Sequence, residues 1–587
     1  MLRYEPPLRD LAFGLGEVLD APAVLRGLPA FAEVDLPLLL QVAEAAGRFA
    51  AEQVLPLNAL ADAVGCRWTD GRVQAPPGFA DAWAAFREQG WPGLCAPVEE
   101  GGQGLPALAG SVLGELLSSA SHAFVMFAGS GALAAHCLRR SASPALQAEW
   151  MPRLASGQAL ATMCISEPQA GSDVGLARTR AAPSGDGDGF RLHGTKVFAS
   201  GGEHDLTEDI LHLVLARLPD APAGSRGLSL FACPRRLPDG RRNAVHCDGI
   251  EHKMGLHGSP TCTLRFDGAQ AQLVGSPHQG LRAMFPMMNE ARLMSGLQAV
   301  GLSETGWQNA LAYAHERRQG RAPGAGTDGP PSRLVDHPDV QRLLATQKAW
   351  TEGGRLLCHW TALLLDVARH HPDATRAAEA EALVGLLTPL VKGVLSENAQ
   401  LSLSAALQVH GGHGYVRETG IEQLVRDARI VTIYEGTTGI QAQDLVLRKL
   451  LGDGGHAWRL LRAEVTRWLD GPGRSPALAD VAMPLQRQRE RVDAAITRLQ
   501  ALQREAPAAL LAACTPALRL VGLLVLALLW ARAAEKAGPR ADVGDPWHRA
   551  KRATALFFLH QLLPEAEALA AVIHQPDTGL QDTLLAA

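Results

Sequence analysis

The chain has 587 residues, enough for roughly three or four domains that each bury a core. With 47% hydrophobic and 20% charged residues it has the composition of ordinary globular protein, and with a net charge of −5 nothing points to nucleic acid or an anionic membrane through bulk electrostatics. Nine cysteines (66, 95, 137, 164, 233, 247, 262, 358 and 514) show no CxxC pair and no metal-ligand spacing, which predicts reduced thiols, no metal site and a cytoplasmic location.

The opening MLRYEPPLRDLAFG lacks the basic flank and apolar core of a signal peptide. From residue 36 to about 54, apolar residues recur at helical spacing (Leu38, Leu39, Val42, Ala46, Phe49, Ala50, Val54). Helical patterns continue over 79–89 and 108–138, separated by the Gly- and Pro-rich loop GLCAPVEEGGQGLP. Residues 1–159 therefore read as an N-terminal helical domain.

The texture changes near Leu160. LATMCISE, GFRLHGTKVFAS, ILHLVLARL, GLSLFACP and TCTLRF are short β-rich runs between turn-forming clusters, and His193-Gly194 reads as a hairpin turn. They predict a compact β domain over 160–279. Helical patterns resume over 280–451, broken by RQGRAPGAGTDGPPSR at 318–333, an exposed loop by composition. After Gly452-Asp453-Gly454-Gly455 a further helical domain covers 452–587. Its apolar run from Leu520 to Ala531 falls short of the ~20 residues a membrane span needs, so it is expected to be a buried core helix. No repeat of period 20–50 is present.

The most informative stretch is 407–445, LQVHGGHGYVRETGIEQLVRDARIVTIYEGTTGIQAQDL. Glu435 stands between Tyr434 and Gly436-Thr437, just after the apolar Ile430, Val431 and Ile433. A carboxylate beside apolar walls is partly desolvated, which raises its pKa and makes it a stronger base toward a weakly acidic C–H. The bland alternative is a solvated carboxylate at a helix start. Upstream, Gly411, Gly412 and Gly414 allow backbone to approach a flat or charged ligand.

This stretch resembles the C-terminal signature of the acyl-CoA dehydrogenases, flavoenzymes that desaturate acyl-CoA thioesters. The resemblance runs over roughly residues 40 to 450, and the extra helical domain and the opening YEPPLRDLAFGLGEV resemble the long branch of 3-methylmercaptopropionyl-CoA dehydrogenase-like members. It implies a mostly α fold with a central β-barrel-like domain: helical domain, β domain, four-helix bundle and an additional C-terminal helical domain. It implies FAD as cofactor and an acyl-CoA as substrate, either a medium- or long-chain fatty acyl-CoA or 3-methylmercaptopropionyl-CoA. An electron-transfer flavoprotein would accept the electrons. A homodimer is implied, the extra domain covering the surface that shorter members use to form tetramers. No integral membrane segment is expected, peripheral membrane contact being the open alternative.

Residue by residue, the resemblance makes Glu435 the catalytic base. The position that carries the base in other branches is Ala291 here, which cannot act. Met163, Ser166, Gly171 and Ser172 in MCISEPQAGSD would line the flavin, with Ser172 near both pyrophosphate and CoA. Phe198 and Ser200 replace the usual Trp and Thr; Phe still packs on a flavin ring and Ser keeps the hydroxyl. Arg317, Gln408 and Gly412 would meet the FAD of a neighbouring subunit, Thr437 would also contact FAD, and Asn289 and Arg292 would meet CoA. Two departures touch the adenine end of FAD: the aromatic expected soon after Arg317 is missing, and Pro338 stands where Gln is common.

Three other readings stay open on sequence: an acyl-CoA oxidase that uses O2, a DNA-associated flavoprotein of the same fold, and an inactive flavin scaffold. From 452 to 587 there are 16 Lys and Arg against 14 Asp and Glu, a net of only +2 and a sparse basis for phosphate binding. Met284, Met287 and Met288 either line a pocket for a flexible or thioether chain or belong to ordinary core, the commoner fate of such residues.

Overall fold

The computed structural model describes residues 2–185, 189–326 and 329–576. The chain forms two compact units, Ala45–Met294 and a second made of Met1–Glu44 with Ser295–Ala587.

The first unit begins with helices α1 (Leu55–Val64), α2 (Phe79–Glu88), α3 (Ala107–Ala120), α4 (His122–Ala128), α5 (Ser130–Ser141) and α6 (Pro144–Ala155). The helical pattern read over 108–138 is thus three helices. Ser121 breaks it first: its backbone is extended and its hydroxyl accepts the Phe124 N–H, ending α3 and capping α4. Gly129 marks the second break. Phe79 and Phe86 meet Phe124 edge-on at 5.7 and 5.9 Å, forming an aromatic core.

A small hairpin, β1 (Arg67–Thr69) and β2 (Arg72–Gln74), precedes the main sheet. That sheet contains β3 (Ala159–Cys164), β4 (Arg180–Pro183), β5 (Phe190–Ser200), β6 (Asp209–Arg217), β7 (Leu228–Pro234), β8 (Val245–Ile250) and β9 (Thr261–Val274). The pairing runs β3-β6-β4-β5-β9-β7, with β8 beside β9 and β7 returning to β6. Because β4 meets β6 through a single pair, Arg180 and Arg217, the module is barrel-like without being a closed barrel.

His193-Gly194 is not a hairpin turn. Both residues lie inside β5 and pair with Asp267 and Phe266 of β9, next to a register shift at Leu192/His193. Gly194 has φ +147°, and a Cβ there would sit 2.5 Å from the Thr179 hydroxyl. A glycine in this role marks a bulge where another chain segment crosses closely.

Helix α7 (Gly280–Glu316) contributes residues up to 294 to the first unit, where Met284 and Met287 are buried with Leu211, Leu213 and Leu228. The methionine-rich stretch is core at those two positions.

In the second unit, α7 from 295 onward joins α8 (Pro338–His370), α9 (Ala374–His410), α10 (Ile421–Arg429) and α11 (Thr438–Gln443). Leu386, Leu387, Leu390 and Val391 of α9 are fully buried. The segment 318–333, read as a loop, is a turn tied by Gln319 N–H to Ser332 O and Ser332 N–H to Gly320 O, each 3.0 Å; its residues 327 and 328 lie outside the described residues. Helices α12 (His456–Asp470), α13 (Ala479–Glu505), α14 (Pro507–Asp542), α15 (Pro546–Phe557) and α16 (Glu565–His574) follow, and the N-terminal helices Leu8–Phe13, Ala21–Arg26 and the first part of Leu36–Phe49 belong to the same unit. Two helical stretches, Pro507–Asp542 and Pro546–His574, are long and apolar enough to cross a membrane by length and composition. In the first, every residue from Leu520 to Ala531 is buried, as expected of a core helix. All nine cysteines are free thiols, seven of them buried.

A buried charge cluster ties distant parts of this unit together. Arg355 donates to Asp10 at 2.5 Å and to Glu304 at 2.7 Å, while Lys551 pairs with Glu352 at 2.7 Å and with Asp10. Burial works against the charge of Asp10, yet Lys551 and Arg355 hold its carboxyl well below the ordinary range.

Candidate active site

Within the first unit, the end of β3 and the β5 bulge come together. The Val197 N–H donates to the Ser166 carbonyl at 2.9 Å, and the Thr162 hydroxyl donates to the Ser200 carbonyl at 2.8 Å. Met163, Ser166 and Ser200 are half-buried, while Gly171 and Ser172 are exposed on the loop that follows. Among the described residues nothing lies within 4 Å of where a Gly171 Cβ would be, so that side of the loop has room for a ligand. Phe198 sits between Lys196 and Ala199, where the β5 register slips; its φ is +57° and it is 64% exposed. A large ring held in a disfavoured backbone region and turned to solvent suits a residue that stacks on a flat ligand.

The loop owes its shape to a pair the motif alone did not single out. Lys196 is fully buried, and its ammonium donates to Glu167 at 2.8 Å and to the Ile165 carbonyl at 3.0 Å. Glu167 also accepts the backbone N–H groups of Arg178 (2.7 Å) and Thr179 (3.0 Å) and the Gln169 amide (2.8 Å). Burial pushes its pKa up, but the Lys196 charge and these hydrogen bonds win and bring it down to about 2. The sequence signal was there: Leu192 and Lys196 share the inward face of β5, and a lysine on a buried face needs an acid.

On α7, Asn289 is exposed and Arg292 buried, their side chains 3.4 Å apart, and Ala291 is buried beside them. His136 of α5 reaches Glu290 at 3.2 Å.

In the second unit, Glu435 is half-buried, as are Tyr434 and Gly436, while Val431 is buried and Ile433 is 49% exposed. Two consecutive residues, Glu435 (φ +55°) and Gly436 (φ +87°), are left-handed, which turns the chain sharply before α11. A Cβ on Gly436 would meet the Gln441 amide nitrogen at 2.9 Å. The Gln441 amide donates to the Glu435 carbonyl at 2.8 Å, and Lys392 donates to the Gly436 carbonyl at 2.5 Å. Thr437 caps α11 through its hydroxyl, and the Thr438 hydroxyl donates to Glu397 at 2.6 Å. The Tyr434 hydroxyl donates to Gln298; burial and then the Glu435 charge push this phenol well above its ordinary pKa.

Arg317, just past the end of α7, is exposed, and its guanidinium has no hydrogen-bond or ion-pair partner among the described residues. Four residues earlier, Tyr313 stacks on His410 at 4.6 Å and its hydroxyl lies 3.2 Å from His413, so Arg317 shares its neighbourhood with the end of α9, which carries Gln408, and with the turn just beyond it that holds Gly412. Gln408 is exposed, and among the described residues nothing lies within 4 Å of a Cβ added to Gly412. Gly414 serves the chain itself: a Cβ there would lie 2.5 Å from the Leu407 carbonyl. In the first unit, an exposed aromatic on a bulge and an open small-residue loop suit the flat ring and phosphates of a flavin dinucleotide.

Sequence comparison covers nearly the whole chain. The N-terminal, middle and C-terminal domain profiles of acyl-CoA dehydrogenase match residues 39–158, 162–269 and 278–450, and an acetyl-CoA dehydrogenase C-terminal-like profile matches 461–583. The chain is 40% identical to 3-methylmercaptopropionyl-CoA dehydrogenase of Ruegeria pomeroyi over 100% of both proteins. It is 34% identical to a broad-specificity linear acyl-CoA dehydrogenase of Mycobacterium tuberculosis over 99% of both. Among solved structures, an acyl-CoA dehydrogenase of Bacillus anthracis complexed with FAD aligns over 96% of this chain and 92% of that one, with TM-score 0.76 and 21% identity, a likeness of fold.

Proposed function

We propose, from the premise that this chain belongs to the acyl-CoA dehydrogenase family, that it converts an acyl-CoA thioester to the trans-2-enoyl-CoA with Glu435 as its base. The observation that carries the reading is the half-buried Glu435 on its left-handed turn, together with Ala291 at the position of the alternative base. The thioester carbonyl makes the α-hydrogen acidic but only weakly so, and the Glu435 carboxylate takes that proton. Met163, Ser166, Gly171, Ser172, Phe198, Ser200 and Thr437 would hold FAD, with Arg317, Gln408 and Gly412 reaching the FAD of a partner subunit. Bound FAD supplies the acceptor for the β-hydride. Ser172, Asn289 and Arg292 would hold CoA, Arg292 through its charge and planar fork.

The acyl group is a medium- or long-chain fatty acyl or 3-methylmercaptopropionyl, in keeping with the names of the two relatives. An electron-transfer flavoprotein takes the electrons from a cytoplasmic homodimer acting in fatty-acid β-oxidation. The domain boundaries we assign are 1–159, 160–279, 280–451 and 452–587.

Glu435→Gln tests the assignment. The variant is expected to purify yellow with FAD yet reduce it some 10²–10⁴-fold more slowly with acyl-CoA, as for loss of a general base. Reduction at the wild-type rate moves the base elsewhere. A scan of acyl-CoAs from short to long with 3-methylmercaptopropionyl-CoA, using an artificial electron acceptor, fixes the substrate. O2 consumption by the substrate-reduced enzyme would mark an oxidase instead.

A further inference from the structure

Lys392 lies in the middle of α9 with no exposed surface, beside the buried Leu390, Val391 and Val394. An ammonium withdrawn from water persists only where acceptors replace its hydration. Lys392 gives an N–H to the Gly436 carbonyl at 2.5 Å. From the helix that follows the turn, the equally buried Gln441 gives its amide N–H to the Glu435 carbonyl at 2.8 Å and, more loosely, to that of Gly436 at 3.4 Å. The Gln441 Oε1 has no hydrogen-bond partner among the described residues, so the amide serves here as a donor. The two carbonyls thus held belong to the two left-handed residues, one of which, Glu435, carries a Cβ that disfavours that conformation. A non-glycine residue keeps such a backbone where its surroundings over-determine it.

We propose that Lys392 and Gln441 are positioning residues for the base: by fixing the carbonyls of Glu435 and Gly436 from two sides, they hold the turn that aims the Glu435 carboxylate at the substrate α-carbon. This rests on the reading of Glu435 as base. Neither side chain exchanges a proton with substrate. Their effect is geometric, and a base displaced by about 1 Å can slow its reaction on the order of 10²-fold.

The test uses full-length, FAD-loaded protein carrying Lys392→Met, Lys392→Arg, Gln441→Met or Glu435→Gln. Base action is read without turnover, as deuterium uptake at the acyl-CoA α-carbon from D2O by mass spectrometry, beside kcat, KM, the flavin spectrum and enoyl-CoA affinity. Lys392→Met and Gln441→Met are expected to keep FAD and bind enoyl-CoA normally, while exchange and kcat fall together by roughly 10–100-fold and KM moves little. Lys392→Arg, which keeps a donor, is expected to recover part of the rate. Should Lys392→Met fail to fold, Gln441→Met carries the same comparison. Wild-type exchange in folded Lys392→Met or Gln441→Met, with Glu435→Gln inactive, overturns the positioning role alone. Wild-type exchange in Glu435→Gln overturns the assignment of the base.

Discussion

Phe198 combines two features that a fold does not select for its own sake, a left-handed backbone and a ring 64% exposed to water. Each is unfavourable to the protein alone, and both are offset when a flat ligand covers the ring. Phe198→Gly should therefore raise the thermal midpoint of the FAD-free protein slightly and weaken FAD binding by about tenfold, the scale of one lost aromatic contact. Calorimetry and flavin fluorescence titration read the two effects separately; unchanged FAD affinity would remove Phe198 from the flavin site. At this scale the Tyr-Glu-Gly-Thr setting names Glu435 as the candidate base, and the structure adds the left-handed turn that carries it. Lys392 was not singled out because it lies 44 residues before Gly436. Its only local mark is a lysine inside the apolar run TPLVKGVL, and the partner that explains it appears once α9 and the turn are packed together.

At the scale of elements, the Glu167–Lys196 pair fastens the open loop after β3 to β5, so the loop's stability should follow the charge of Glu167. The folded-state pKa is depressed, to about 2, below the ordinary carboxylate value, so the contribution is fully present above the unfolded pKa and is lost as pH falls toward 2. Lys196→Met, which strands a buried carboxylate, should cost roughly 3–5 kcal/mol at neutral pH, and the Glu167→Gln/Lys196→Met double variant less. Between pH 5 and 3 the double variant should lose less stability than wild type in denaturant melts; equal losses would show that the pair does not govern acid sensitivity. The strands were readable here from their β-rich runs. The bulge at Gly194 was not, because a glycine after a polar residue reads equally as a turn. What decides is the crossing of Thr179 close to Gly194, a contact between segments that periodicity does not contain.

At the scale of the molecule, the question is whether residues 456–576 are an appendage or part of one core. Three close approaches favour one core. A Cβ on Gly393 of α9 would lie 2.7 Å from Leu518, one on Gly522 of α14 would lie 2.6 Å from Val394, and one on Gly353 of α8 would lie 2.7 Å from the Trp530 indole nitrogen. Trp350 meets Phe558 edge-on at 5.4 Å, and Lys551 reaches Glu352 and Asp10. Removing everything after Leu451 would therefore uncover the apolar faces of α8 and α9 and take Lys551 away from Asp10 and Glu352. The order of domains was legible from the return of helical periodicity after Gly452-Asp453-Gly454-Gly455, but this intimacy was not, since a glycine inside a helix reads as a weak point until its neighbour is known. A chain ending at Leu451 should accumulate in the insoluble fraction, or bind hydrophobic dyes if soluble, and should carry little FAD. In the full-length protein, Gly522→Val should lower the thermal midpoint by forcing α14 away from Val394. A truncated chain that stays soluble, yellow and as heat-resistant as the parent would make the C-terminal helices an accessory domain on a bundle that folds alone.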